Sequence, residues 1–148
     1  MKENPDHHDA ELLLRLYDLR RESKLRQARE WFAREFRAES LEEMGQKYPM
    51  TSEGNTFFRM VVGYWDMAAS IVNHGLIKQE FFFETTGEFY FVWEKIKALV
   101  PPLRESFKNP EAWKNLERLA ASYEKYMAKA APEAIDAMRK RLIAVQSK

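Results

Sequence analysis

Apolar residues recur along this chain every three or four positions, the period of helices packed on a core. The first long run covers residues 10–37. Leu13, Leu14, Tyr17, Leu25, Ala28, Trp31, Phe32 and Phe36 fall on one stripe, which Arg21 and Lys24 interrupt midway. Leu12, Leu16 and Leu19 form a second stripe confined to the first turns. Leu, Ala, Arg and Glu dominate the run, all good helix formers. Glu11–Arg15, Glu22–Arg26 and Glu30–Arg34 have the spacing of helical ion pairs. Asp9, or Asp6 before it, can cap this helix, so residues 1–8 are expected as a flexible tail and residues 9–148 as one domain.

Caps and breakers divide the rest of the chain. Ser40-Leu41-Glu42-Glu43 has the spacing of a capping box and opens a short helix that must end before Pro49. Thr51 or Ser52 caps a longer helix over 53–73, and Asn73-His74-Gly75 stops it, Gly suiting the left-handed position. A short turn over 78–84 comes next. Thr85-Thr86-Gly87-Glu88 repeats the capping-box spacing and opens a helix to 100, where Pro101-Pro102 blocks continuation. Asn109-Pro110-Glu111 starts the next helix, to about 129, and Pro132 starts the last, to about 146. Residues 81–93 also suit two strands and a turn. The spacing of Phe89, Val92, Trp93, Ile96, Leu99 and Val100 favours the helix, and the hairpin stays open.

The expected fold is therefore all-α: an irregular bundle of about five main helices plus short connecting ones. The helix over 53–74 is its centre, because Phe57, Phe58, Val61, Val62, Trp65 and Ala68 leave little of its circumference polar. The polar remainder, Asn55, Arg59, Asp66, Ser70 and Asn73, lies on one narrow stripe with Gly63 in its middle.

Composition narrows the chemistry. The chain has 148 residues, the size of one domain, with 24 basic and 23 acidic side chains. That balance argues against a general polyanion binder. With no cysteine, disulfides, thiolate metal sites and cysteine nucleophiles are excluded. The start of the chain is acidic and polar where a signal peptide is basic and then apolar. No uncharged apolar run approaches the ~18 residues of a spanning helix. A cytoplasmic location and no membrane span are expected.

Several constellations invite chemistry. Arg59 and Asp66 lie two turns apart on one face, and with Gly63 and Ser70 they form a candidate notch for an anionic ligand. A thin solvent-facing edge or a structural ion pair is the competing explanation. Glu80, Glu84 and Glu88 are spaced by four among phenylalanines, yet no Glu-x-x-His accompanies them as paired-metal sites require. His7-His8-Asp9 does not converge as helical ligands do, and His74 suits a helix C-terminus. Lys114, Arg118, Lys125 and Lys129 form a ridge that together with Arg139, Lys140 and Arg141 could meet phosphates, but no aromatics interleave with it, so a solvated face is favoured over nucleic-acid contact.

The order of parts resembles that of an uncharacterised bacterial family of small helical proteins, a domain of unknown function. The resemblance covers residues 55–126. It rests on the apolar helix over 57–72, His74-Gly75-Leu76-Ile77, Trp93, Pro101-Pro102, Arg104 and Trp113. It implies a helical fold and carries no catalytic residues. Family members often have an N-terminal membrane anchor, and this chain departs from them in having a charged N-terminal helix.

The expectation for function is a non-enzymatic interaction module whose partner is a protein or another copy of itself. Leu12, Leu16 and Leu19 are its expected contact, and Leu16→Glu is expected to dissociate a dimer and leave the fold intact. The alternative is a small-molecule-binding protein, or an enzyme, with an anionic ligand at Arg59, Gly63, Asp66 and Ser70. No catalytic residue, metal site, cofactor or specific nucleic-acid partner is assigned.

Overall fold

Ser52 opens the element around which the others pack. In the computed structural model, which describes residues 3–146, its hydroxyl accepts the Asn55 N–H at 3.1 Å. The helix it caps, α4 (Glu53–Asn73), ends as Gly75 takes φ +79°. The Gly75 and Leu76 N–H groups then bond the Val72 and Ile71 carbonyls, a Schellman stop. Both ends were legible from the sequence.

The described residues form nine helices and no strand. The others are α1 (His7–Arg20), α2 (Ser23–Arg34), α3 (Leu41–Lys47), α5 (Gln79–Thr85), α6 (Glu88–Ile96), α7 (Val100–Phe107), α8 (Lys114–Ala130) and α9 (Ala134–Gln146). The fold is the expected all-α irregular bundle, and the hairpin alternative over 81–93 is replaced by α5 and α6. No helix among the described residues is long and apolar enough to cross a membrane.

Helices α2 and α8 both pack on α4, and α6 and α9 both touch α8. Val61, Val62, Trp65, Ala68 and Ala69 of α4 are almost wholly buried. Each large side chain so buried contributes about 2–3 kcal/mol. Aromatic rings fill the two ends of this core. Phe32 stacks on Phe36 at 5.0 Å, with Phe58 beside them. Phe83, Phe89, Tyr123 and Tyr126 form the second cluster.

Four boundaries differ from expectation. The single helix over 10–37 is two helices, because the Glu22 carboxylate accepts the Lys24 and Leu25 N–H groups and starts a new one. Asp6 caps α1 by a capping box with Asp9, so the helix begins inside the stretch expected as a tail; residues 1 and 2 of that stretch, and 147–148, lie outside the described residues. Pro101 and Pro102 occupy the first turn of α7, where their missing N–H groups cost nothing, and so begin a helix as well as ending one. Asn109 accepts the Glu111 N–H, but only a turn results; α8 starts after Trp113, which sits in the left-handed region at φ 58°.

Candidate functional site

Rotation of α1 decides what the N-terminal part of the protein shows to solvent. Leu16 is only 4% exposed and Leu12 packs half-buried beside it. On the far side Leu14 is 67% and Tyr17 49% exposed. Leu19 is exposed near the helix end. The expected contact trio is thus divided: Leu12 and Leu16 face the core and Leu19 faces out. The break at Arg21-Glu22 explains this. It frees α1 to turn independently of α2, so the stripe that is inward through Ala28 and Phe32 is not inward through Leu14.

A groove runs beside the exposed face, between α1 and the end of α5. Leu13, Leu14, Tyr17, Arg20, Phe82 and Thr85 line a volume of about 320 Å³. Arg20 closes one end, its guanidinium 4.9 Å from the Tyr17 ring centroid and 5.5 Å from that of Trp65. Beneath it the buried Tyr64 hydroxyl donates to the Leu16 carbonyl, and burial pushes that hydroxyl up to about 12. On a helix, His8, Glu11, Arg15 and Asp18 fall to one side of Leu14, whereas Leu13, Tyr17 and Arg20 fall to the other. All four of the first group are exposed, and Glu11, Arg15 and Asp18 make no ion pair among the described residues.

The candidate notch on α4 is differently occupied. Asp66 accepts the Leu116 N–H at 2.9 Å, and Asn73 donates to the Asn115 carbonyl at 2.9 Å. Helix α8 has no cap from its own N-cap side chain, and Asp66 supplies one from the neighbouring helix. Arg59 is exposed and bonds Asn55 instead, at 2.9 Å, so it does not meet Asp66. Gly63 is exposed, with nothing near a Cβ placed there. Ser70 and His74 face each other at the helix end, where His74 Nδ1 lies 2.8 Å from the Ser70 carbonyl. Five clefts among the described residues are lined by none of Arg59, Gly63, Asp66 and Ser70.

The three spaced glutamates also separate. Glu80 and Glu84 are exposed. Glu88 does not complete a capping box; it takes two hydrogen bonds from Arg29, at 2.8 and 2.6 Å, and one from the Trp65 indole at 3.2 Å. The Arg29 guanidinium, bonded by Glu88, is held above its usual range. This pair joins α2 to α6 across α4. Among the described residues no group of three or more His, Asp or Glu side chains could hold a metal ion. Lys114 of the basic ridge pairs with Glu117 at 3.5 Å.

Two features escaped the sequence. Glu94, its side chain 3% exposed, accepts from Lys97 and from Arg139 at 2.5 Å, fastening α9 to α6. Burial alone would raise its carboxyl, but those two hydrogen bonds outweigh burial and hold it low. Lys95 is buried among the Phe32, Phe36 and Phe91 rings and donates to the Phe32 carbonyl at 2.6 Å. Its signal was available: a lysine on the inward stripe with Val92, Ile96 and Leu99.

Residues 5–123 match the family described as Domain of unknown function (DUF4760), and the chain belongs to that family. The match begins well before residue 55, so α1 and α2 are part of the family domain; α9 lies beyond it. No curated protein and no solved structure matches the chain.

Proposed function

We propose that this protein is a non-enzymatic interaction module that pairs with a second copy of itself through the outward face of α1. The observation that carries this reading is the exposure of Leu14 and Tyr17 beside an apolar groove. Exposed apolar surface next to a concavity marks contact sites. The second copy is favoured by the charges. In an antiparallel twofold pair centred near Leu13, Glu11 meets Arg15 of the other copy and Asp18 meets His8, each pair occurring twice. The same symmetry sets each Leu14 opposite Leu12 of the other copy, next to the Leu13 end of its groove. A location in the bacterial cytoplasm belongs to this reading; the cysteine-free composition supports the compartment and the family resemblance the bacterial origin.

Light scattering tests it. The wild-type protein is expected to have twice the chain mass. Leu14→Glu is expected to weaken association about 30-fold or more while leaving the helical signal of the folded chain unchanged. Leu16→Glu, at a core position, is expected to destabilise the fold itself by about 3 kcal/mol or more, contrary to the expectation from sequence. A monomeric wild type at high concentration, or a Leu14→Glu dimer of unchanged affinity, contradicts the proposal.

A further inference from the structure

Among the described residues, Lys95 is a cation with no anion beside it. Its ammonium sits among three phenylalanine rings, with centroids at 5.0, 5.6 and 5.7 Å, and bonds only a main-chain carbonyl. Structural lysines at such depth normally meet a carboxylate. Two of the nearby carboxylates are committed elsewhere, Glu94 to Lys97 and Arg139 and Glu43 to Lys47, and the exposed Glu39 makes no ion pair with Lys95 or Arg37. Yet Lys95 is not sealed in. It lines a cleft of about 410 Å³ together with Arg37, Glu39, Glu43, Lys47, Glu94 and Lys97, while α9 contributes Leu142. Among the described residues the Arg37 guanidinium bonds only the Arg34 and Val145 carbonyls, at 3.0 and 3.2 Å. The cleft therefore holds a desolvated amine and a guanidinium that no carboxylate among the described residues neutralises.

We propose that this cleft captures a small 2-oxo acid, Lys95 forming an imine with its carbonyl carbon while Arg37 holds its carboxylate. The Lys95 ammonium first loses a proton to water. Its lone pair then adds to the carbonyl carbon, and the carbonyl π pair moves to oxygen, which takes up a proton. The nitrogen sheds its extra proton to water, the carbinolamine hydroxyl takes up a second proton and leaves as water, and the nitrogen lone pair closes a C=N bond in place of the C–N single bond. No oxidant or reductant is needed. Burial, reinforced by the charge of Arg37, lowers the Lys95 ammonium to about 8. At that pH half of it is free amine, against about 0.3% of an ordinary lysine. Phosphate-bearing aldehydes share the carbonyl chemistry, but a carboxylate suits the planar fork of Arg37 in so small a cleft.

The test is reductive trapping. The folded wild-type chain is treated with glyoxylate and cyanoborohydride near pH 8, digested, and its labelled lysines mapped by mass spectrometry. Lys95 is expected to label about tenfold faster than exposed Lys125. Excess pyruvate should protect Lys95 and no other lysine. Arg37→Gln should slow labelling by glyoxylate several-fold and leave labelling by neutral acetaldehyde unchanged. Label spread over exposed lysines with Lys95 unmodified overturns the proposal, as does an Arg37→Gln protein that traps glyoxylate at the wild-type rate. The wild-type map needs no variant to fold, so that result is decisive on its own.

Discussion

A buried ammonium without a counter-ion makes stability depend on pH in a direction opposite to that of a buried phenol. For Lys95 the folded value, about 8, lies below the 10.5 of a free lysine. Between those values the unfolded chain binds more protons, so stability rises with pH. Tyr64 acts in reverse. Burial raises its hydroxyl from 10.0 to about 12, so the unfolded chain ionises first and stability is lost as pH climbs from 10 through 12. Tyr90, raised by burial and by its hydrogen bond to Glu124, adds to that loss. The urea midpoint is therefore predicted to rise from pH 8 to about 10 and to fall beyond it. Lys95→Met should abolish the rise and keep the fall; a rise that survives this substitution would place its source elsewhere.

Between elements, polar groups act across helix boundaries. Asp66 belongs to α4 but caps α8, whose first residue comes after a left-handed Trp113. Asp66→Ala is predicted to cost about 1 kcal/mol. It should speed amide exchange at Leu116 and its neighbours while leaving the middle of α4 protected. Equal acceleration along both helices would show that Asp66 does not act as a cap. The same habit explains which boundaries were legible. Ser52 and Gly75 act within a few residues of themselves, so their patterns gave both ends of α4. The start of α8 depends on the distant Asp66, and the break at Glu22 on a carboxylate in a role that Ser, Thr, Asn and Asp usually fill. Pro101 and Pro102 carry two meanings, stop and first turn, and only packing chooses between them. The polar stripe of α4 was correctly traced as a stripe. Its use, docking α8 through Asp66 and Asn73, required the partner helix to be seen.

At the scale of the whole molecule, two surfaces are built from different helices. One is the outward side of α1, inside the stretch that matches the family. The other is the Lys95 cleft, edged by α9, which lies past that stretch and is fastened by Arg139 to Glu94. The exposed side of α1 could not be identified before the break at Arg21-Glu22 was known, since helix rotation is set by packing and not by the stripe alone. Self-association through that side is the central claim, and backbone amide NMR tests it most directly. Spectra of the wild-type protein recorded from dilute to concentrated solution are predicted to shift at Glu11, Leu14, Arg15, Tyr17 and Asp18. Amides of α8 and α9 should stay in place. Spectra that do not change with concentration, or that change only away from α1, would contradict it.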